Sequence, residues 1–384
     1  MSQQLLTSPS EDQFARPTRR YGLISADGHL NEPDDVWTRR LEQKYLDRAP
    51  RIARFSEGDA WVVEGVEAPL PFGWRTCAGK RPDQMQDWVR FEDISPGNYD
   101  PAARLRDLDL DRTDAEVLFP GTPVIAVTGM RDPDFHHALV RAYNDWVSEF
   151  CSYAPDRLGG TVLLPNRGVD EAVAEVKRTA TMPGFVAFLL KCYPHGNTVV
   201  SEQDDPLWAA IEESGMPVTI HVSLSDALPS KQSAASLPGT GHFYDAPRRM
   251  LELIFSGVLD RFPGLQFVLT EVDCGWVPYF VRQADDNYLR HAQSDLRSAG
   301  VDRPPSEYIR EHFSFTFITD SFGLESRHAI GVDRMMWSSD YPHITSDWPF
   351  SWRTINAAFE NVPLEEKRMI LSENAERLFR FPAK

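Results

Sequence analysis

The feature that most constrains this chain is an alternation. Eight short apolar or β-branched runs recur along it, at 21–26, 115–119, 160–164, 185–190, 218–220, 267–270, 313–319 and 335–339. They lead into DGH, PGTP, PNR, KCYPHG, HVS, EVD, DS and DYPH respectively. The segments between them carry helix signals. In 134–153, Leu139, Tyr143, Trp146, Val147 and Phe150 recur on one helical face. In 204–215, Asp205 suits a cap, Pro206 a first turn and Gly215 a stop. Met250, Leu251, Ile254 and Val258 repeat the pattern in 246–262. Continuous apolar strands separated by helices predict a parallel sheet covered on both faces. Eight of them predict closure into an α/β, (β/α)8 TIM barrel.

Two stretches break the rhythm. Residues 38–100, rich in Pro, Trp and Gly, form an insertion after strand 1 and are expected to pass over the barrel mouth. Residues 224–245 read as a long loop after strand 5. Residues 1–20 read as a polar N-terminal arm, and 21–384 as one barrel domain.

The charge balance narrows the partners. With 40 Lys and Arg against 57 Asp and Glu, the net charge is −17, which disfavours nucleic acid and anionic membrane. The N-terminus lacks the apolar core of a signal peptide, and no run of 18 apolar residues is present. Cys77, Cys151, Cys192 and Cys274 share no CxxC spacing and read as free thiols of a cytoplasmic protein.

The chemistry lies at the strand ends. Asp27 and His29 stand at i and i+2, so in an extended chain both side chains point to one side. His221 follows the fifth run and Asp340 the eighth. Two carboxylates and two imidazoles at C-terminal strand ends suit one divalent ion, zinc or manganese, able to act on water or on a substrate oxygen.

The segments ISADGHLNEPDDVW, IHV at 220–222 and SSDYPH at 338–343 resemble the amidohydrolase superfamily. Within it they are most similar to the group containing aminocarboxymuconate semialdehyde decarboxylase. FSGVLDRFPGLQFVLTEVDCGWVPYF at 255–280 and ENAERLF at 373–379 support the resemblance, which spans about 21–381. It implies that Asp27, His29, His221 and Asp340 bind the metal and that Asp340 also moves protons. It implies a homodimer as well. Two positions depart from the group's pattern: Asp27 replaces a His or Glu, and Glu271 ends the sixth strand where a proton-donating His is common. A carboxyl group could take that role if burial raised its pKa.

Weaker candidates surround this set. His195 and Lys191 are placed to bind substrate, although Lys191 equally suits pairing with a nearby acid. His343 either lines the mouth or caps. Glu32 is expected to orient the strand-one ligands from behind. His242 reads as a loop histidine; His136, His137, His291, His312 and His328 read as structural. Trp74, Trp88 and Trp276 face either an aromatic substrate or the core. The leading expectation is a nonoxidative decarboxylase of an aromatic or unsaturated carboxylic acid, with Asp340 and Glu271 as catalytic groups. The alternatives are a metal-dependent hydrolase of an amide, lactone or related bond, a hydratase, and a non-catalytic barrel.

Overall fold

The structure is a computed structural model and describes residues 21–225, 245–290 and 301–381. Eight strands form one all-parallel sheet: β1 (Ile24–His29), β5 (Ala115–Phe119), β6 (Leu158–Leu163), β7 (Phe185–Leu189), β8 (Val218–His221), β9 (Phe267–Thr270), β10 (Phe313–Phe317) and β11 (Met335–Trp337). They lie side by side in chain order. Nearly every residue of these strands is buried, as expected where side chains fill the barrel on one face and meet helices on the other. The expected (β/α)8 barrel is the fold.

The ring closes between its first and last strands. His29 N–H donates to Tyr341 O at 2.7 Å, and Asp340 N–H donates to Asp27 O at 3.0 Å. Arg104 braces this seam from a position with no solvent exposure. Its guanidinium donates to Glu116 Oε2 at 2.8 Å, His29 O at 2.9 Å, Gly97 O at 3.2 Å and Tyr341 O at 3.2 Å. The glycine of DGH is explained at the same place, because a Cβ on Gly28 would lie 1.9 Å from Glu116 Oε1.

The helices follow their sequence signals with local differences. Pro133–Cys151 begins behind Asp132, whose side chain accepts from Phe135 N–H at 3.3 Å. Asp205–Ser214 ends at Gly215 with φ 68°. Asp204, not Asp205, stands before that helix, because Asp205 is engaged with Arg261 at 2.9 Å. The 246–262 pattern divides into Asp245–Phe255 and Val258–Arg261, separated by Gly257 at φ 72°. Strand 1 also extends through DGH instead of ending before it, because Gly28 and His29 pair with Leu118 and Phe119.

The 38–100 insertion holds a small antiparallel sheet of β2 (Arg51–Arg54), β3 (Asp59–Val62) and β4 (Leu70–Pro71). Trp61 of β3 packs edge-on against Trp37, ring centroids 5.4 Å apart. Beyond β4 the insertion carries Trp74 and Arg75 to the barrel mouth. Most of the expected loop after strand 5 (226–244), with His242, lies outside the described residues, as do His291 and the 1–20 arm. Among the described residues no helix is long and apolar enough to cross a membrane, and all four cysteines are buried and outside any disulfide.

Candidate active site

At the C-terminal ends of the strands, β1 delivers Asp27 and His29 and β8 delivers His221. Glu271 follows β9 directly, and Asp340 lies three residues beyond β11. The chain turns sharply at these ends. Val222, Glu271 and Asp340 take left-handed conformations, with φ of 60°, 58° and 52°. Such conformations cost of order 1–3 kcal/mol at non-glycine residues and persist where the surrounding structure over-determines them. Two of the three are acids of the cluster, and the third follows its histidine.

The side chains converge. Donor atoms of Asp27, His29, His221 and Glu271 all lie within 4.8 Å of one another, and so do those of His29, Glu271, Asp340 and His343. His221 Nε2 is 3.4 Å from Asp27 Oδ1 and 3.3 Å from Glu271 Oε2. His29 Nε2 is 3.5 Å from Asp27 Oδ1 and 3.2 Å from Asp340 Oδ1. The His29 and His343 rings stack at 3.8 Å. The four residues expected from sequence are therefore neighbours, and Glu271 and His343 stand among them.

The His29 and Asp340 side chains are held from behind. His29 Nδ1–H donates to Pro120 O at 3.0 Å, which turns Nε2 toward the cluster. The next N–H, of Gly121, donates to Glu32 Oε1 at 2.8 Å. Glu32 thus grips the Pro120–Gly121 peptide that positions His29, without touching His29 through a hydrogen bond. Thr345 Oγ1–H donates to Asp340 Oδ2, and His343 Nδ1 approaches Asp340 Oδ1 at 3.0 Å. Glu271 N–H donates to Thr316 Oγ1 at 2.8 Å.

Electrostatics and geometry together test whether a cation fits. Buried Asp27 Oδ1 and Oδ2, His29 Nε2, His221 Nε2 and Asp340 Oδ1 make no hydrogen bond. Leaving buried polar atoms unpaired costs about 1–3 kcal/mol each, and more for charged groups. Burial and the neighbouring carboxylates push Asp27 and Glu271 well above the usual carboxylate range. Burial alone would lower His29, but Asp340, Asp27 and Glu271 outweigh it and raise its pKa to about 9. Burial holds His221 well below its usual value and lowers His343 to about 3. Asp340 is pulled down by His343 and His29 against the effect of its burial. A convergent set of nitrogen and oxygen donors, left without hydrogen bonds, is what a divalent ion requires.

The cluster floors a cavity of about 430 Å³. One wall is apolar, built from Val124, Ile125 and Leu189, with Trp74 and Ile344 also lining the cavity. Two cations line it. Lys191 Nζ donates to His221 O at 3.0 Å, and burial and Arg75 lower its pKa to about 8. Arg75 faces Glu271 and Asp340 electrostatically but forms no ion pair among the described residues. Arg75 was not legible in the sequence; its only signal is its place in a Gly- and Trp-rich excursion. A wider groove of about 550 Å³ on the outer helices, around Arg40, Tyr45 and Glu175, holds no such donor set among the described residues.

Other candidates sit elsewhere. His195 Nδ1 lies 2.6 Å from Asp204 Oδ2, and His195 does not line the cavity. His136 bonds to Val127 O and accepts from Asn166 N–H, and His312 bonds to Leu265 O. His137 lines the outer groove, and His328 is exposed beside Glu366. Trp276 donates to Val272 O and packs on Phe280 and Phe315, and Trp88 packs on Phe55.

Comparison with known proteins agrees with this architecture. The chain is 26% identical over 310 residues to gamma-resorcylate decarboxylase from Rhodococcus jostii, covering 71% of this chain and 88% of that protein. A solved amidohydrolase from Mycobacterium avium subsp. paratuberculosis superposes with a TM-score of 0.72 at 22% identity, over 93% of this chain and 98% of that one. A 5-carboxyvanillate decarboxylase from Novosphingobium aromaticivorans, solved with manganese and 4-hydroxy-3-methoxy-5-nitrobenzoic acid, gives 0.70 at 19% identity, over 97% and 100%. The amidohydrolase family model matches residues 27–381, from the first of the clustered acids to the last described residue, and the chain belongs to the amidohydrolase family.

Proposed function

We propose that the protein is a metal-dependent, nonoxidative decarboxylase of an aromatic or unsaturated carboxylic acid. The observation that carries this is the cavity itself, which joins a donor cluster for a divalent ion to an apolar wall and two cations. A flat, apolar, anionic molecule matches all three. The decarboxylase relatives support the reading, and the manganese in one solved neighbour favours that ion over zinc.

Asp27, His29, His221 and Asp340 would hold the ion. When bound, it supplies a fixed positive charge that orients the substrate's oxygens and stabilises negative charge developing on them. Val124, Ile125 and Leu189 hold the ring and exclude water from it. Arg75 and Lys191 orient anionic groups of the substrate, Arg75 through its planar fork of donors. Asp340, held ionised by His343 and His29, accepts the proton of a hydroxyl beside the carboxylate. It then returns that proton to the ring carbon, and the carbon–carboxylate bond breaks to release CO2. The proton taken and the proton delivered are the same, so the cycle balances without a redox partner.

A panel of ortho-hydroxybenzoates, assayed for CO2 release in deuterated water, tests this reading. Release of CO2 with one deuterium at the carbon that lost the carboxylate supports it. The rival reading, a hydrolase, is favoured by Glu271 standing where a proton-donating histidine is common. Hydrolysis with solvent oxygen-18 entering the product, and no CO2, would replace decarboxylation by that reading. A cytoplasmic homodimer completes the proposal, and light scattering at micromolar concentration tests the dimer.

A further inference from the structure

We infer that the Glu271 carboxylate is itself a ligand of the divalent ion, making the centre one of two imidazoles and three carboxylates. The inference rests on the metal-dependent reading above and goes past it, because that reading does not count Glu271 among the ligands.

Three observations carry it. The first is position. Glu271 Oε2 stands 3.3 Å from His221 Nε2, and Glu271 and His29 are the two residues common to both groups of convergent donors. The second is aim. Glu271 is the first residue after β9, and its φ of 58° diverts the chain there while its N–H is tied to Thr316 Oγ1. Asp340, the acid across the cluster, has the same left-handed backbone, φ 52°. The two acids are presented by one backbone device at two strand ends.

The third is what surrounds the carboxylate. Among the described residues no Arg or Lys lies within ion-pair distance of Glu271; the imidazole at that distance is His221, which burial keeps neutral. A carboxylate facing an imidazole nitrogen that makes no hydrogen bond, with two further carboxylates in the same pocket, needs a cation among them. Three carboxylates also weight the site toward oxygen donors, which suit manganese, where an imidazole at this position would suit zinc.

The test is Mn(II) binding to metal-stripped protein, followed by loss of the free-ion EPR signal, for wild type, E271Q and E271H. Circular dichroism and melting of each metal-free protein check the fold. Loss of an outer partner of a ligand typically weakens metal binding about 10–100-fold, so loss of a ligand in E271Q should cost at least about 100-fold. The EPR spectrum of any Mn(II) still bound should change. In E271H the ratio of zinc to manganese affinity should rise. Wild-type affinity in a folded E271Q, even an inactive one, would overturn the inference and return Glu271 to proton transfer. If E271Q does not fold, an unchanged zinc-to-manganese ratio in E271H overturns it as well. Failure of the wild type to bind either ion would instead remove the metal-dependent reading, and this inference with it.

Discussion

His29 is where the proton and the metal compete. Its Nδ1 is committed to Pro120 O, so Nε2 carries the proton while the carboxylates keep the pKa near 9. A divalent ion taking Nε2 must displace that proton. Manganese affinity is therefore expected to rise with pH up to about 9 and to level off above it. Calorimetry in two buffers of different ionisation enthalpy, at pH 7.5, should report proton release on binding; binding with no release would contradict this account. Arg75 gives a second prediction. Its guanidinium lines the cavity without an ion pair among the described residues, so Arg75→Met should cost about 1.5–3 kcal/mol of substrate binding, the range for a hydrogen bond to a charged group. The effect should appear as a roughly 10–100-fold rise in KM with metal content unchanged. A loss confined to kcat would place Arg75 in the chemistry instead.

Among the elements, the β1–β11 seam is the most exposed to a single change. Arg104 joins β5, the end of β1, the insertion and Tyr341. Arg104→Met would leave Glu116 buried and unpaired, at an expected cost of about 3–5 kcal/mol in urea unfolding. Adding Glu116→Leu should recover part of it; no recovery would mean the stranded carboxylate is not the cause. The loop after β6 makes a pH prediction. His136 Nε2 accepts Asn166 N–H, which requires it to be unprotonated, and burial lowers its pKa to about 3. The unfolded chain, with an ordinary value near 6.5, binds that proton first. This contribution to stability is complete above about pH 6.5 and is lost as pH falls toward 3, at up to about 1.4 kcal/mol per unit. Urea midpoints across that range should fall less steeply in His136→Gln. How much of this was legible divides along the same elements. The barrel strands could be read because both their faces are buried, which leaves unbroken apolar runs such as FVLT and MMW. Asp27 and His29 could be read because their side chains share one side of a strand. The sheet of β2–β4 could not be, since its strands have four, four and two residues among prolines and glycines. Glu271 could be placed at the end of its strand, but its turn could not be read, since a left-handed residue after a strand leaves no mark when it is not glycine. His195 shows the converse: a histidine at a strand end that turns away because an acid, Asp204, lies within its reach.

For the whole molecule, the donor cluster is an unspent source of stability. An ion that binds only the folded chain adds about 2.7 kcal/mol when present at 100 times its Kd. Manganese should raise Tm, chelation should lower it, and the difference should vanish in a His29→Ala/His221→Ala variant; an equal shift in that variant would place the ion elsewhere. The net charge of −17 adds to this, since a bound dication relieves part of the repulsion within an acidic molecule. The closing seam has one more consequence, in time instead of energy. Asp27 and His29 leave the ribosome before the residues whose backbone atoms hold them against their neighbours, Asp340 and Tyr341. Until those residues are synthesised, the ring is an open sheet with its first strand unpaired on one side, and the finished pocket becomes available only once Asp340 and Tyr341 have left the ribosome.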